Sequence, residues 1–323
     1  MDELQILKLL TEPGERLPVL YDWMRNKVWS TARFEEMKPE QYLEQGEKLL
    51  CRVEELILGA APGIYNDLET ESVQSVTLWE KLNGLTPYAV VIFDGVSLRE
   101  MPLLEKIALS SGFKILESGF TTAALPSNTV SFISHRIMGK SGISPSLLPS
   151  RKELSRQAIK AYYYDSVIHA QEIAADHQRL LLWSSFPDAK YQDFDSRFAS
   201  LFSSICSLFD SAWKNTVLSI PKGYRIIITS DHGYIFLGQG MESTIFANAA
   251  SELNQDRFRF FSDNEKLPID NPGLQIISDR KLAMLRGRIK NRPQGSAGNK
   301  TYRHGGMSLM EMLTPWLVLE RKI

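Results

Sequence analysis

Cysteine is scarce in this chain of 323 residues, and neither sign of charge is in excess. Cys51 and Cys206 are far apart and form no C-x-x-C pair, so we expect free, buried thiols in a reducing compartment rather than a disulfide framework. The 37 basic and 38 acidic residues give a formal net charge of −1. A globally basic nucleic-acid-binding protein is therefore excluded, and any attraction to nucleic acid must be local.

Long apolar runs are absent as well. No stretch reaches the roughly 18 apolar residues of a membrane-spanning helix, and MDELQILKLL lacks the basic region and cleavage site of a signal peptide. We therefore expect a cytoplasmic protein without membrane contact. The 43% hydrophobic and 23% charged residues are typical of a globular protein, whose length predicts one large domain with an appendage, or two domains.

Residues 1–86 are predicted to form a small N-terminal helical region. PEQYLEQGEKLLCRVEELILG has apolar residues at three-to-four spacing and ends at Gly59, and TESVQSVTLWEKLNG has a similar pattern that ends at Gly84. No segment here has the pattern of a strand. The region could serve as a docking surface, as a lid, or as packing that completes the fold.

From Pro87 onward, short apolar runs alternate with helical patterns. The predicted strands are YAVVIFD, FKILESG, AIKAYYYD, RLLLWSS and YRIIITSD. This alternation predicts an α/β fold over residues 87–323, with a mostly parallel sheet and helices on both faces. Residues 250–300 interrupt it and are predicted to include an insertion or loop region. Ser308 and Glu311 then form the capping box of a short helix before a last strand.

Three of the predicted strands end in aspartate, at Asp94, Asp165 and Asp231. The carboxyl ends of parallel strands meet at one edge of a sheet, where ligands bind. Carboxylates gathered there would repel one another unless cations lay between them. Helix capping is the simpler explanation for any one of them, but three together indicate a metal site.

Three of the five histidines have neighbours that suit a metal site. They are His169, four residues after Asp165; His232, beside Asp231; and His304, within RHGG. His135 and His177 lie in helical patterns and are assigned to helix surfaces. A mixture of Asp and His ligands favours Zn²⁺ or Mn²⁺ over Ca²⁺.

The segment ALPSNTVSFISHRIMG offers a candidate nucleophile. Thr129 lies at or near the start of a predicted helix, where free N–H groups and the helix dipole favour an anion. Capping of that helix by Thr129 or Ser127 is the simpler explanation, and the local sequence by itself favours it.

Taken in order, these motifs resemble those of the alkaline phosphatase superfamily and, within it, the PglZ domain. The matching strings are IFDG, LPSNT, YYYDSVIH, TSDHGY and YRHGGMS, and SDHGY and HGGMSLMEMLTP are the most similar to PglZ. The resemblance covers residues 87–323. In an alternative alignment VIHAQE matches a VIDAxG motif, so that Asp165 falls outside the site and Glu172 or Asp176 supplies a ligand.

The resemblance implies a metal-dependent phosphodiesterase or phosphatase with two divalent ions, Zn²⁺ in preference to Mn²⁺. It implies Asp94, Thr129, Asp231 and His232 as ligands of one ion, and Asp165, His169 and His304 as ligands of the other. Thr129 would attack phosphorus, and water would then hydrolyse the phosphothreonine. Nucleotide or nucleic-acid phosphates are the implied substrates, so the activity could be that of a nuclease, and the implied context is a phage-defence system of the BREX type.

A basic run precedes His304 and could contact substrate phosphates; the other explanation is a solvated loop. Its residues are Arg286, Arg288, Lys290, Arg292, Lys300 and Arg303. The alternative function is a catalytically weak or inactive scaffold of a multi-protein phage-defence complex, which would bind its partners through residues 1–86.

Overall fold

The apolar runs of the sequence form eleven strands in the described part of the chain. The computed structural model describes residue 6 and residues 15–140, 142–192, 198–237, 240–269, 271–293 and 301–322. The strands are β1 (Tyr88–Phe93), β2 (Phe113–Thr122), β3 (Ile159–Tyr164), β4 (Arg179–Ser184), β5 (Arg225–Thr229), β6 (Ile235–Phe236), β7 (Phe258–Phe260), β8 (Leu274–Ile277), β9 (Leu282–Leu285), β10 (Tyr302–Arg303) and β11 (Leu313–Arg321).

Six of these strands make the central sheet, in the order β2-β11-β5-β1-β4-β3. β3, β4, β1 and β5 run parallel, and β11 runs antiparallel to both β5 and β2. The register pairs Phe93 with Ser184, and Ile92 with Thr229. The carboxyl ends of β4, β1 and β5 therefore lie level at one edge of the sheet. The predicted α/β fold with a mostly parallel sheet is confirmed.

Helices cover both faces of this sheet, because successive side chains of its buried strands point to opposite sides. Ala89, Val91 and Phe93 belong to one core, whereas Tyr88, Val90 and Ile92 belong to the other. The α-helices are α1 (Arg16–Trp23), α2 (Thr31–Glu36), α3 (Pro39–Ala60), α4 (Gly63–Gln74), α5 (Leu78–Lys81), α6 (Met101–Ser110), α7 (Thr129–Phe132), α8 (Lys152–Arg156), α9 (Asp188–Gln192), α10 (Phe198–Asn215), α11 (Ala249–Glu252) and α12 (Leu309–Met312).

Shorter helical turns extend this set. Met24–Val28 and Ile133–Met138 are π-helical, and the latter continues α7; Pro145–Ser150 and Ser278–Arg280 are 3₁₀ turns. The predicted capping box of Ser308 and Glu311 starts α12.

The N-terminal helices pack into the same core as the sheet. α3 contacts α10, and its Glu47 is fully buried between two arginines. Glu47 forms ion pairs with Arg99, which follows β1, and with Arg288, which follows β9. Because each of these charges is buried, each needs the others in order to remain ionised. The ion pairs thus connect the N-terminal helices to the segment that follows β1 and to the segment that follows β9.

The described part of residues 250–300, which we predicted to include an insertion or loop region, contains a small sheet that is separate from the central one. The small sheet has three antiparallel strands in the order β7-β9-β8, and every residue of β9 is buried. The strands are only three or four residues long, so their pattern is too short to stand out in the sequence.

Two further features concern the protein's class. Cys51 and Cys206 are free thiols and are partly buried. None of the helices in the described ranges has the length and apolar character that a bilayer crossing requires.

Candidate active site

Two neighbouring parallel strands deliver three polar side chains to one point. Asp94 directly follows β1. One residue separates the end of β5 from Asp231, and His232 comes next. Their ligand atoms all lie within 4.8 Å of one another. Asp94 is 6% exposed, and Asp231 and His232 are fully buried. The level ends of β1 and β5 therefore bring two buried carboxylates and an imidazole together.

Thr129 contributes a hydroxyl group to this cluster. Its Oγ1 lies 2.7 Å from Asp231 Oδ2, 3.4 Å from His232 Nε2 and 3.5 Å from Asp94 Oδ1. The residue that caps α7 is Asn128, whose side chain accepts a hydrogen bond from the Ser131 N–H. Capping therefore does not account for Thr129.

Ser127 does not cap α7 either. Its hydroxyl donates to the Gly306 carbonyl and accepts from the Gly305 N–H. These bonds hold the turn before Thr129 against the glycines that follow His304.

The orientation of His232 is set by its other ring nitrogen. Nδ1 lies 2.9 Å from the Gly233 carbonyl, which can only accept, so Nδ1 carries the proton. In the neutral ring Nε2 then offers a lone pair toward Asp231 Oδ2 at 3.4 Å and Asp94 Oδ1 at 3.7 Å. Acceptors that face each other across such distances are typical of a cation site whose imidazole ligand is oriented by a backbone carbonyl.

A second group lies next to the first and includes a residue that we did not predict. Asp188, His232 and His304 also have ligand atoms within 4.8 Å of one another. Asp188 is the first residue of α9, shortly after β4, on the opposite side of β1 from β5. The His232 and His304 rings stack with centroids 4.1 Å apart, and Asp188 Oδ1 lies 4.0 Å from His304 Nε2.

The charges of this site are poorly compensated within the described residues. Burial raises the pKa of Asp94, and the carboxylates of Asp231 and Asp188 raise it further. Burial and the neighbouring His232 lower the pKa of His304. In the described ranges no lysine or arginine forms an ion pair with the three aspartates, and His304 Nδ1 is buried without a hydrogen-bond partner. A donor set of three carboxylates and two imidazoles fits a divalent cation such as Zn²⁺.

The structure does not bring Asp165 and His169 into either group. Both side chains are exposed, and Asp165 follows β3, the edge strand, which is separated from β1 by β4. Glu172 and Asp176, the ligands of the alternative alignment, are exposed as well. The structure therefore does not support Asp165 and His169 as ligands, and it places Asp188 next to His304 instead.

A sequence signal for Asp188 existed in SSFPDAK, which follows the run RLLLW. The aspartate comes four residues after the last residue of β4, so it does not meet the criterion of a strand that ends in aspartate. Its backbone N–H donates to the Asp94 carbonyl, which returns the chain to the end of β1.

Two arginines of the basic run before His304 are engaged by other parts of the protein. Arg288 is 1% exposed and pairs with Glu47, and Arg286 binds Gln275 and the Pro272 carbonyl. These two residues are therefore committed to the fold, which corrects our expectation. The other members are Lys290, paired with Glu242; Arg303, buried and bonded to the Tyr302 carbonyl; Arg292, exposed; and Lys300, which lies outside the described residues.

Comparisons with known proteins identify structural neighbours only. No family model matches the chain, and no curated protein matches it. Murine ectonucleotide pyrophosphatase/phosphodiesterase 5 is similar, with a TM-score of 0.43 and 13% identity, covering 72% of this chain and 87% of that chain. An inactive variant of that enzyme in complex with AMP gives the same values.

A second neighbour is phosphonoacetate hydrolase from Sinorhizobium meliloti 1021, in complex with phosphonoacetate. Its TM-score is 0.37 with 10% identity, covering 72% of this chain and 89% of that chain.

Proposed function

We propose that this protein is a metal-dependent phosphoric ester hydrolase with Thr129 as its nucleophile. The observation that carries the proposal is the position of the Thr129 hydroxyl, 2.7 Å from Asp231 Oδ2 and within 3.5 Å of both His232 and Asp94. A threonine hydroxyl is a weak nucleophile unless a neighbouring group activates it. Buried carboxylates and an imidazole at these distances are such groups.

The residues have separate tasks in this proposal. Asp231 accepts the hydrogen bond of the Thr129 O–H and orients Oγ1. Oγ1 forms a bond to phosphorus as the ester P–O bond breaks, Asp231 takes the Thr129 proton, and this proton ends on the departing alcohol. Water then attacks phosphorus, its oxygen leaves with the phosphate product as the Oγ1–P bond breaks, and one of its protons restores the Thr129 hydroxyl group.

We assign one ion to the ligands Asp94, Thr129, Asp231 and His232, and a second ion to Asp188 and His304. Divalent ions bound there would supply the positive charge that acidifies the attacking groups and neutralises the phosphate. Zn²⁺ is our first choice and Mn²⁺ the alternative, since both suit mixed Asp and His donors. The neighbouring buried tyrosines Tyr302 and Tyr191 help to exclude water from the Asp188 side.

The substrate that we propose is a nucleotide or nucleic-acid phosphate. Support comes from the resemblance of SDHGY and HGGMSLMEMLTP to the PglZ domain. A role in phage defence rests on the same resemblance.

Hydrolysis of bis-p-nitrophenyl phosphate and p-nitrophenyl phosphate tests the proposal. Metal-free protein is reloaded with Zn²⁺ or Mn²⁺, and wild type is compared with Thr129→Ala, Thr129→Ser and the control Ser131→Ala. Ser131 lies two residues later in α7, and no hydrogen bond of its hydroxyl group is seen in the described residues. We expect a loss of at least about 10³-fold in kcat for Thr129→Ala and much smaller losses for Thr129→Ser and Ser131→Ala.

Mass spectrometry of protein quenched during turnover should show phosphate on Thr129. Equal turnover by wild type and Thr129→Ala would exclude this nucleophile. If neither ester is hydrolysed with either metal, the hydrolase proposal fails and the scaffold function is favoured instead.

A further inference from the structure

A basic cavity lies at the amino ends of the parallel strands, whereas the candidate active site lies at their carboxyl ends. It has a volume of about 580 Å³ and is formed where β1 and β5 begin and β11 ends. Six residues of β1, at about 3.3 Å each, separate the two edges by about 20 Å. We name it the basal pocket. Its charged lining residues are Lys114, Lys222, Arg225, Glu320, Arg321 and Lys322.

The charge of the basal pocket contrasts with that of the whole chain. Five basic residues and one acidic residue give it a formal charge of +4, whereas the 323 residues together carry −1. Like charges gathered on a concave wall repel one another and attract anions. The pocket therefore concentrates positive potential on a protein whose total net charge is close to zero.

The two arginines of the basal pocket are held in place. Arg321 donates to the carbonyls of Leu218 and Ile220, and its guanidinium lies 5.3 Å from the centre of the Phe113 ring. Arg225 pairs with Glu320 at 3.2 Å. This pair uses the only acidic residue that lines the pocket in the described part of the chain.

The three lysines of the basal pocket differ from the arginines in their interactions. Lys114, Lys222 and Lys322 are exposed, and within the described ranges none of them has an ion-pair partner or a side-chain hydrogen bond. They lie on three different segments: the start of β2, the turn before β5 and the residue after β11. Chain segments that are distant in sequence thus present unpaired ammonium groups to one cavity.

We propose that the basal pocket binds a small phosphorylated molecule that carries at least two negative charges, such as a nucleoside diphosphate or triphosphate. The volume lies within the range of about 300–1,000 Å³ that is usual for small-ligand sites. The lining residues also include Leu85 and Pro87, whose side chains are apolar and suit the rest of the ligand. A bounded cavity suits a small molecule better than a nucleic-acid strand, which needs a continuous groove.

Calorimetric titration of metal-free protein tests the proposal independently of the hydrolase function. The chelator is removed before titration, so that neither metal nor chelator affects binding, and inorganic pyrophosphate and ATP are the probes. We expect both to bind, and to bind more weakly as the salt concentration rises. Lys222→Glu and Lys114→Glu should each weaken binding at least about tenfold, because each reversal changes the pocket charge by two.

Lys152→Glu is the matched control, since Lys152 is an exposed lysine of α8 outside the pocket. It should bind both probes as wild type does, and all three variants should remain folded at the temperature of the titration. The proposal is overturned if neither probe binds, or if Lys152→Glu weakens binding as much as the pocket variants do. It is also overturned if a single-stranded oligonucleotide binds more tightly than ATP and its affinity grows with length.

Discussion

The variant Asp94→Asn distinguishes two effects of the carboxylates at the strand ends. They repel each other in the metal-free protein, and they bind the metal when it is present. In metal-free protein, oxygen atoms of Asp94 and Asp231 lie within 4.8 Å in a buried site. Two unit charges at that distance repel by about 3 kcal/mol at an effective dielectric constant of about 20. Asparagine keeps an oxygen that can accept the bond from Trp183 Nε1. We expect the metal-free variant to be more stable than wild type by about 1–3 kcal/mol.

Metal should reverse this order. Wild type gains about 4.1 kcal/mol when free metal is at 1,000 times its dissociation constant. The variant has lost one charged ligand and should gain much less. In zinc the wild type should therefore become the more stable protein, although it is the less stable one without metal.

The pH dependence has a defined sign as well. Burial and the neighbouring carboxylates raise the pKa of Asp94 in the folded protein. Its contribution to stability is present below the unfolded pKa of about 3.9 and is lost as pH rises through the folded pKa. The advantage of Asp94→Asn over metal-free wild type should therefore grow with pH.

Urea unfolding with and without Zn²⁺ measures these differences. Asp165→Asn is the matched control, because it changes an exposed aspartate that follows β3 and lies outside both groups. It should shift the free energy of unfolding by less than about 0.5 kcal/mol under both conditions. The reasoning is refuted if metal-free Asp94→Asn is less stable than wild type and zinc stabilises both proteins equally.

Three further predictions concern the groups around the site. Tyr302→Phe removes the hydroxyl that donates to Asp188 Oδ1. A competition titration should show zinc binding weakened by about 10–100-fold, while the melting temperature stays unchanged. Unaltered zinc affinity would contradict a positioning role for Tyr302. Glu47→Gln removes the negative charge that pairs with two buried arginines. Urea unfolding should show that it lowers the free energy of unfolding by about 3–5 kcal/mol, whereas Glu44→Gln on the exposed side of the same helix should have almost no effect. Equal effects of the two variants would exclude the buried ion pairs as the cause. Burial raises the pKa of Glu54 to about 7, so its contribution is present below about pH 4.5 and is lost as pH rises through 7. The stability of wild type relative to Glu54→Gln should fall by about 2 kcal/mol between about pH 5 and pH 8, and a constant difference would argue against that pKa.

Local patterns in the sequence were enough to predict much of the fold. Apolar runs alternating with helical patterns predicted the parallel sheet, and runs such as VVIF and RIII marked its central strands. Burial on both faces of a strand leaves a continuous apolar run, which can be read without knowing the neighbouring strands. The same local reading brought Asp94, Asp231 and His232 forward as candidates.

The second group of candidate ligands could be predicted only with knowledge of the order of the strands in the sheet. β4 lies beside β1 and β3 lies at the edge, so Asp188 reaches His304 whereas Asp165 is exposed. Strand periodicity carries no information on which strand lies next to which, because that order is set by long-range packing.

The same distinction applies to charge. The basic run looked free along the sequence, yet Arg288 pairs with Glu47, 241 residues away. The basal pocket likewise assembles lysines that no local pattern connects. The sequence by itself determined which segments become strands and helices, since that depends on neighbouring residues. Only the tertiary structure decided which charges are paired and which converge, since that depends on residues brought together by folding.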